Sequence, residues 1–170
     1  MSRISIRLAA EADLASMFEI YNHYVRTSVC TYQDTEDTLE DRATWLHTHM
    51  PEYFPATVAE IDGEVVGFGA LSPFRERSAY RFTVENAVYV RHDMHRQGIG
   101  RILLADLIER SREIGHQTII AVIDAEQPGS VALHRAFGFE VCGEMKRVGF
   151  KFDRWLDVVF MQLIHSPQSR

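Results

Sequence analysis

The stretch from His95 to Gly115, HRQGIGRILLADLIERSREIG, constrains the fold more than any other part of the sequence. Two glycines stand one residue apart between arginines, and an apolar pattern of helical spacing follows them at once. The pattern predicts a helix from Gly98 to Ile114 that ends at Gly115, and the apolar residues before the loop predict a strand. The residues that repeat at helical spacing are Ile99, Leu103 and Leu107, with Leu104 and Ile108 beside them.

A strand, a glycine loop and a helix in this order are typical of an anion-binding site. The first N–H groups of a helix have no partner within it, and the helix dipole adds partial positive charge there. Gly98 and Gly100 lack a Cβ, so a phosphate can reach the backbone, and Arg96 and Arg101 can add charge from the sides. The alternative is an ordinary glycine-rich turn with surface arginines. The loop is neither a G-x-x-x-x-G-K-[ST] phosphate loop nor a G-x-G-x-x-G/A dinucleotide fingerprint, because no Lys-Ser/Thr pair follows and Leu103 occupies the last position.

The remaining segments alternate between strand and helix patterns in the order β-α-α-β-β-β-α-β-α-β-β. The second helix is predicted over 38–50, up to Met50, and a strand over 79–90, while Asp62-Gly63 predicts the tight turn of a hairpin. Because helices lie among strands throughout, we predict an α/β fold with one mixed sheet covered by helices. We assign a single domain to residues 1–165 and a short tail to residues 166–170.

Composition narrows the classes of partner. The chain of 170 residues has a net charge of −6, which argues against a general nucleic-acid-binding protein, since such a protein needs a net basic face. The N-terminus lacks the apolar core of a signal peptide, and no apolar run reaches the roughly 18 residues of a membrane span, so we expect a cytoplasmic protein. Cys30 and Cys142 are expected to be two buried thiols, and the histidines show no metal-binding spacing, so no metal is expected.

Five stretches of the sequence together resemble one known family. VYVRHDMHRQGIGRILL resembles motif A of the GNAT superfamily of N-acetyltransferases, whose signature is Q/R-x-x-G-x-G/A. The other four resemble its phosphinothricin and methionine sulfoximine acetyltransferase branch, and the likeness covers nearly the whole chain. They are IYNHYVRTS, AYRFTVENAVYV, SVALHRAFGF and GFKFDRWLDVVFMQ.

The resemblance implies the GNAT fold, with a mostly antiparallel sheet whose two central strands splay apart. It also implies acetyl-CoA as co-substrate, with strand amides near Val88 bonding the pantetheine arm and the glycine loop holding the pyrophosphate. Gln127 stands where the branch usually has Asn. The residues that the resemblance assigns to the cofactor are Val88, Tyr89, Val90, Arg96, Gln97, Gly98, Ile99, Gly100, Arg101 and Gln127.

The resemblance implies two catalytic side chains and one catalytic amide. Acetyl transfer needs an amine that has lost its proton, and Glu85 is our candidate general base, directly or through water. The alternative for Glu85 is a surface or salt-bridged carboxylate. His134 stands where the family has a group that protonates the departing thiolate, and its alternative is a partly buried helix histidine bonded to a carbonyl. The N–H near Val88 would stabilise the developing oxyanion.

The acceptor is expected to be a small amino-acid-like amine such as phosphinothricin, methionine sulfoximine or methionine sulfone. Arg75 and Arg77 precede the strand that carries Glu85 and can bind an α-carboxylate in a two-pronged geometry. The branch uses this loop for substrate, so Phe74, Tyr80 and Thr83 are further candidates, and Tyr32, Lys151 and Trp155 are weaker ones.

Two other functions stay open: acetylation of protein or peptide N-termini, and a CoA-binding sensor without catalysis. We also expect a homodimer, because the apolar closing strand DVVFMQLI invites pairing if it is exposed and because the family is often dimeric. The alternative is that this strand belongs to the core.

Overall fold

A computed structural model describes residues 3–49 and 51–166 as seven strands and four α-helices in the predicted order. Met50 and residues 167–170 of the predicted tail lie outside the described residues. The strands are β1 (Ser5–Leu8), β2 (Ala56–Ile61), β3 (Glu64–Pro73), β4 (Thr83–Val90), β5 (Thr118–Asp124), β6 (Glu140–Lys151) and β7 (Arg154–Ile164). The helices are α1 (Leu14–Thr27), α2 (Leu39–His47), α3 (Ile99–Ile114) and α4 (Pro128–Ala136).

Local sequence signals account for several element boundaries. α2 starts at a capping box, in which the Asp41 N–H donates to the Thr38 hydroxyl and the Asp41 carboxylate accepts from the Thr38 N–H. Gly115 ends α3 in a left-handed conformation with φ 95°, as predicted. Asp62 and Gly63 both have positive φ in the β2–β3 turn, also as predicted.

The sheet has the order β1-β2-β3-β4-β5-β7-β6, and every neighbouring pair is antiparallel except β4 and β5. The predicted mixed, mostly antiparallel sheet is therefore confirmed. The expectation that DVVFMQLI pairs with a second copy is wrong, because β7 already has β5 on one side and β6 on the other. The strand at that edge of the sheet is β6.

The two parallel strands β4 and β5 separate after a short contact. They pair only at Thr83–Thr118, Val84–Ile119 and Glu85–Ile120. Beyond this point β4 keeps β3 as its neighbour and β5 keeps β7, so the following residues of the two strands face a gap. The gap is the splay that the resemblance implies, and it positions the site described below.

Helices cover the two faces of the sheet. α3 and α4 pack on one face around Leu104, Leu107 and Val84, whereas α1 and α2 pack on the other around Met17 and Phe68. Successive residues of β4 therefore point to different helix layers. The predicted strand over 79–90 is too long, because Ser78–Tyr80 forms a 3-10 turn and Phe82 is exposed before β4 begins.

Two remaining expectations concern the cysteines and the membrane. Cys30 is partly buried and Cys142 is exposed on β6, and both thiols are free, so the expectation that both are buried is wrong for Cys142. Within residues 3–49 and 51–166, none of the helices combines the length and apolar character that crossing a bilayer requires.

Candidate functional site

A cavity of about 740 Å³ fills the gap between β4 and β5 and continues over the start of α3. Its wall includes Glu85 and His134, the two predicted catalytic residues. Nine of the ten residues predicted to bind the cofactor also line it. The exception is Gln97, which is exposed and whose side chain donates to Met94 Sδ at 3.5 Å.

The glycine loop forms an open cradle at the start of α3. Gly98 has φ 82° and ψ 0°, a left-handed conformation that a residue with a Cβ rarely adopts, and it precedes the first helical residue. The first intrahelical bond joins the Ile102 N–H to the Gly98 carbonyl at 3.1 Å, so the amides of residues 99–101 have no acceptor within the helix. A Cβ at Gly98 would meet no described atom within 4 Å, so the space above these amides is open. This cradle, with Arg96 and Arg101 beside it, fits a diphosphate.

The strand β4 turns main-chain groups into the gap. The Arg91 N–H bonds the Val66 carbonyl of β3 at 2.8 Å, and the Thr83 carbonyl accepts from Phe74 N–H, so odd-numbered residues of this strand bond toward β3. Because main-chain groups alternate along a strand, the Val88 N–H lies on the side of the gap. This is the amide that the resemblance assigns to the oxyanion.

Glu85 stands at the base of the gap, on the face that α1 and α2 cover. It is the last β4 residue paired with β5, and it is half-buried. Burial raises the pKa of its carboxyl above the ordinary value, and the positive charge of Arg75 partly offsets this rise. A half-buried carboxyl with a raised pKa in a cavity is a suitable proton acceptor at neutral pH.

His134 lies on the opposite face of β4 from Glu85 and has partners at both ring nitrogens. It is 4% exposed, and its Nδ1 is 2.8 Å from the Ser130 carbonyl while its Nε2 is 3.0 Å from Asn86 Nδ2. A carbonyl only accepts, so Nδ1 carries the proton and Nε2 accepts from the Asn86 amide. Burial lowers the pKa of the imidazole, which favours this neutral form. The partner on Nδ1 is the carbonyl that the alternative interpretation anticipated.

Two residues outside the stretches that resemble the family, Tyr32 and Asp124, stand beside Glu85 in the cavity wall. The Tyr32 hydroxyl donates to Asp124 Oδ2 at 2.7 Å. The Tyr32 ring lies against Gly149, where a Cβ would come within 2.4 Å of the ring. No spacing in the sequence links Tyr32 to Asp124 or Gly149, because the three come from separate segments.

The predicted acceptor residues lie outside the cavity wall, and three of them, Phe74, Arg75 and Tyr80, form a cluster. Among the described residues, none of the five belongs to the cavity wall. The Arg75 guanidinium lies 4.8 Å from the centre of the Phe74 ring, and the Tyr80 ring meets the Phe74 ring edge-on at 5.7 Å. Arg77 is exposed and Thr83 is half-buried at the start of β4. The link from this cluster to the site is the electrostatic effect of Arg75 on Glu85.

Lys151 and Trp155, the other weak candidates, lie in the β6–β7 hairpin. The Lys151 ammonium is buried and donates to the carbonyls of Ser28 and Thr31, both at 2.8 Å. It thereby fastens the hairpin to the segment that carries Tyr32. Trp155 is exposed and packs edge-on against Phe150 at 5.2 Å.

Comparisons with known proteins agree with this geometry. A family model described as an acetyltransferase (GNAT) domain matches residues 6–160. The chain is 41% identical over 164 residues to the L-methionine sulfoximine/L-methionine sulfone acetyltransferase of Pseudomonas aeruginosa, covering 96% of this chain and 95% of that protein.

Two solved structures are also similar. A phosphinothricin acetyltransferase from Sinorhizobium meliloti in complex with acetyl-CoA superposes with a TM-score of 0.92 and is 42% identical, covering 96% of this chain and 89% of that one. A ribosomal-protein-alanine N-acetyltransferase from Brucella melitensis superposes with a TM-score of 0.93 and is 45% identical, covering 95% of this chain and 99% of that one.

Proposed function

Because this chain belongs to the GNAT family of N-acetyltransferases, we propose that it transfers the acetyl group of acetyl-CoA to the α-amine of a small amino-acid-like acceptor. The acceptors considered are phosphinothricin, methionine sulfoximine and methionine sulfone. The observation that carries the proposal is the gap between β4 and β5, which joins the glycine cradle to the half-buried Glu85 in one cavity.

The chain's own groups are suited to hold acetyl-CoA, which supplies the acetyl group as an activated thioester. The amides of residues 99–101 and the charges of Arg96 and Arg101 would hold its diphosphate. The main-chain groups of Val88 and Val90 face the gap and would bond the arm that reaches down it, whereas those of Tyr89 bond toward β3 and leave it only as a lining residue. Gln127, at the start of α4, lines the same cavity and would contact the arm from the other side.

Glu85 would act as the general base. An amino acid at neutral pH carries an ammonium group, which has no lone pair until it loses a proton. Glu85 would take this proton, directly or through a water, and its raised pKa brings its basicity closer to that needed at neutral pH. The N–H of Val88 would then donate to the thioester oxygen as negative charge develops on it.

His134 is the candidate that protonates the departing thiolate. In the structure, the Nδ1–H of His134 donates a hydrogen bond to the Ser130 carbonyl, and its Nε2 accepts one from the Asn86 amide. His134 therefore delivers a proton to the thiolate only after its contact with Asn86 breaks and Nε2 gains a proton. Glu85 and His134 stand on opposite faces of β4, so proton removal from the acceptor and protonation of the thiolate would take place on separate sides.

Thiol release from acetyl-CoA, measured with a panel of amines, tests the proposal. The panel contains methionine sulfone, methionine sulfoximine, phosphinothricin and a short peptide with N-terminal alanine. We expect release that depends on the free amino acids and greatly exceeds release with the peptide. Binding of acetyl-CoA without turnover of any amine would favour a sensor and contradict the proposal.

One observation favours a second candidate function, the acetylation of a protein N-terminus. It is the similarity to the structure from Brucella melitensis, whose name specifies a ribosomal protein as its substrate. In the same assay, turnover of the alanine peptide but of no free amino acid would select this alternative.

We also infer a homodimer, now through the outer part of the β6–β7 hairpin instead of β7 itself. β6 has no neighbouring strand on its outer side among the described residues, and the hairpin exposes several large apolar side chains. They are Met145, Val148, Phe150, Phe152 and Trp155. Sedimentation equilibrium of the wild type and of Phe150→Lys is expected to give a dimer and a weakened dimer. A monomeric wild type would contradict the inference.

A further inference from the structure

This inference rests on the proposed function. It concerns whether the amino-acid substrate carries a charged or a neutral head group. The relatives include acetyltransferases named for methionine sulfoximine or sulfone and for phosphinothricin, at similar identities of 41% and 39%. Phosphinothricin carries an anionic phosphinate, whereas methionine sulfone carries a neutral sulfone of nearly the same shape. Overall similarity does not separate the two, so the discrimination has to come from residues in the cavity wall.

Asp124 is the cavity residue that bears on this charge. It ends β5, and it lies on the same face as Glu85, because Ile120 pairs with Glu85 and Asp124 is four residues further along the strand. Its side chain is 5% exposed and lines the cavity. Oδ2 accepts from the Tyr32 hydroxyl at 2.7 Å, and Oδ1 accepts from the Glu126 N–H at 2.8 Å.

No cation forms a hydrogen bond or ion pair with Asp124 in the described part of the chain, and the positive charge that acts on it electrostatically is that of Arg154. The neighbouring Arg154 binds the Glu126 carboxylate, and the Lys151 ammonium is held by two carbonyls. Arginines do line the cavity, but they are Arg96 and Arg101 of the glycine loop, at the diphosphate end. The acceptor side of the wall therefore contains two carboxylates and no lysine or arginine side chain.

We propose that Asp124 is a specificity-determining residue that selects acceptors with a neutral head group over acceptors with an anionic one. A carboxylate in a partly desolvated cavity repels a phosphinate more strongly than it would in water. The Tyr32 hydroxyl donates its hydrogen bond to Asp124 and so offers only lone pairs to the cavity. The Tyr32 oxygen and the Asp124 carboxylate are thus two hydrogen-bond acceptors side by side. They match a sulfoximine, which has an N–H to donate. They tolerate a sulfone and disfavour a phosphinate.

Asp124 also makes a structural contact, and one substitution separates this contact from the effect of the charge. Its Oδ1 closes a turn with the Glu126 N–H immediately before α4. Asp124→Asn keeps an oxygen for this bond and changes the shape very little, but it removes the negative charge. The turn therefore persists in the variant, while the negative charge is lost and an amide nitrogen, which only donates, replaces the oxygen that accepts from the Tyr32 hydroxyl.

The test compares kcat/KM for L-methionine sulfone and L-phosphinothricin, two acceptors that differ chiefly by one negative charge. We expect the wild type to prefer the sulfone by roughly tenfold or more, since a single charge in a site of reduced dielectric constant has an effect of this size. Asp124→Asn should lower this preference by about tenfold, mainly through a lower KM for phosphinothricin. The control is Asp157→Asn, which removes a negative charge from a carboxylate that lies outside the cavity wall, where it binds the Arg147 N–H and pairs with Lys146.

Several outcomes would overturn the proposal, and each can be told from failure of the proposed function. An unchanged preference in Asp124→Asn, or an equal fall in Asp157→Asn, contradicts the role of Asp124 while leaving acetyl transfer intact. Turnover of neither amino acid by the wild type contradicts the proposed function itself. If Asp124→Asn does not fold, Tyr32→Phe replaces it. That variant keeps the charge, so the preference for the sulfone should persist or rise, and a loss of the preference contradicts the proposal.

Discussion

The two ends of the cavity are built from different kinds of groups. At the end proposed to hold acetyl-CoA, the carrier end, main-chain amides of β4 and of the start of α3 face the cavity, and they come from the nearly continuous segment 88–101. At the end proposed to receive the amino acid, the acceptor end, the wall consists of side chains from distant segments, and its polar members include Tyr32, Glu85 and Asp124. A site built from backbone groups suits a ligand that all members of a family bind. Side chains can be substituted one at a time, and such substitutions change which acceptor a member uses.

The comparison predicts that substitutions at the two ends will affect different kinetic constants. Changes at the carrier end should raise KM for acetyl-CoA, and changes at the acceptor end should alter KM for the amino acid or kcat. If a substituted residue belongs to the other end of the cavity, its variant will change the kinetic constants for the other substrate.

The largest expected effect is that of Glu85→Gln. Loss of a general base lowers kcat/KM for the amino acid by about 10² to 10³, and acetyl-CoA binding should stay unchanged. In the wild type, kcat/KM should fall as pH decreases through a pKa above the ordinary carboxyl range, because burial raises the pKa of Glu85 and only its deprotonated form accepts the proton. An unchanged pH–rate profile in the variant would remove Glu85 from this role.

Gly98→Ala is the matching test of the carrier end. The residue has φ 82°, so a Cβ there costs about 1 kcal/mol of backbone strain, which disturbs the conformation of the loop before the helix amides. We expect KM for acetyl-CoA to rise by about tenfold, with little change in KM for the amino acid.

Gly63→Ala is the control for that variant. Gly63 has φ 85° in the β2–β3 turn and equally open surroundings, so the strain is similar but the position is remote from the cavity. Both variants should lose similar thermal stability, and only Gly98→Ala should weaken acetyl-CoA binding. Equal effects of the two on acetyl-CoA binding would show that the loop acts through stability alone.

The sequence predicts most of the residues that line the carrier end of the cavity and few of those that line the acceptor end, and the difference has a physical cause. Backbone binding at a helix start requires glycines at fixed spacing, so Gly98 and Gly100 are visible in one short stretch. The contact between Tyr32 and Asp124 depends on how β5 and the segment after α1 meet in three dimensions, and no local spacing encodes it. Likewise, strand periodicity predicts the face of Asn86 but not its bond to His134, which depends on the packing of α4.

Variants of Asn86 test whether the protonation state of His134 depends on this one side chain. Asn86→Leu removes the donor to His134 Nε2. Because this contact has to break before Nε2 can gain a proton, loss of the one hydrogen bond predicts a rise in kcat of about fivefold with little change in either KM. Asn86→Asp should raise the pKa of His134, because a carboxylate beside Nε2 favours the charged ring. Nitrogen NMR of the imidazole measures both the pKa and the protonated nitrogen.

Ser130→Ala is the control for the Asn86 variants. The carbonyl of Ser130 holds His134 Nδ1 at 2.8 Å, whereas its hydroxyl is 3.5 Å from the same nitrogen, so removing the hydroxyl should leave the pKa of His134 in place. A pKa that stays fixed in Asn86→Asp would contradict the contact between Asn86 and His134.

The smallest expected effect, and the finest test of the acceptor end, is that of Arg75→Gln. The positive charge of Arg75 lowers the pKa of Glu85 and thereby offsets part of the rise that burial causes. Without Arg75 the pKa of Glu85 rises further, so the acidic limb of the kcat/KM profile should move to higher pH. Arg75 is exposed and its charge is screened, so we expect a loss of only about threefold on the acidic limb.

Arg77→Gln separates this effect from a general loss of positive charge in the same loop. Arg77 is exposed and does not contribute to the pKa shift of Glu85, so its removal should leave the acidic limb where it is. Added salt should reduce the difference between wild type and Arg75→Gln, because screening shortens the reach of an exposed charge. If both variants raise KM for the amino acid equally and neither moves the limb, the loop attracts the acceptor's carboxylate by net charge, and the cluster of Phe74, Arg75 and Tyr80 would then have no specific role in tuning Glu85.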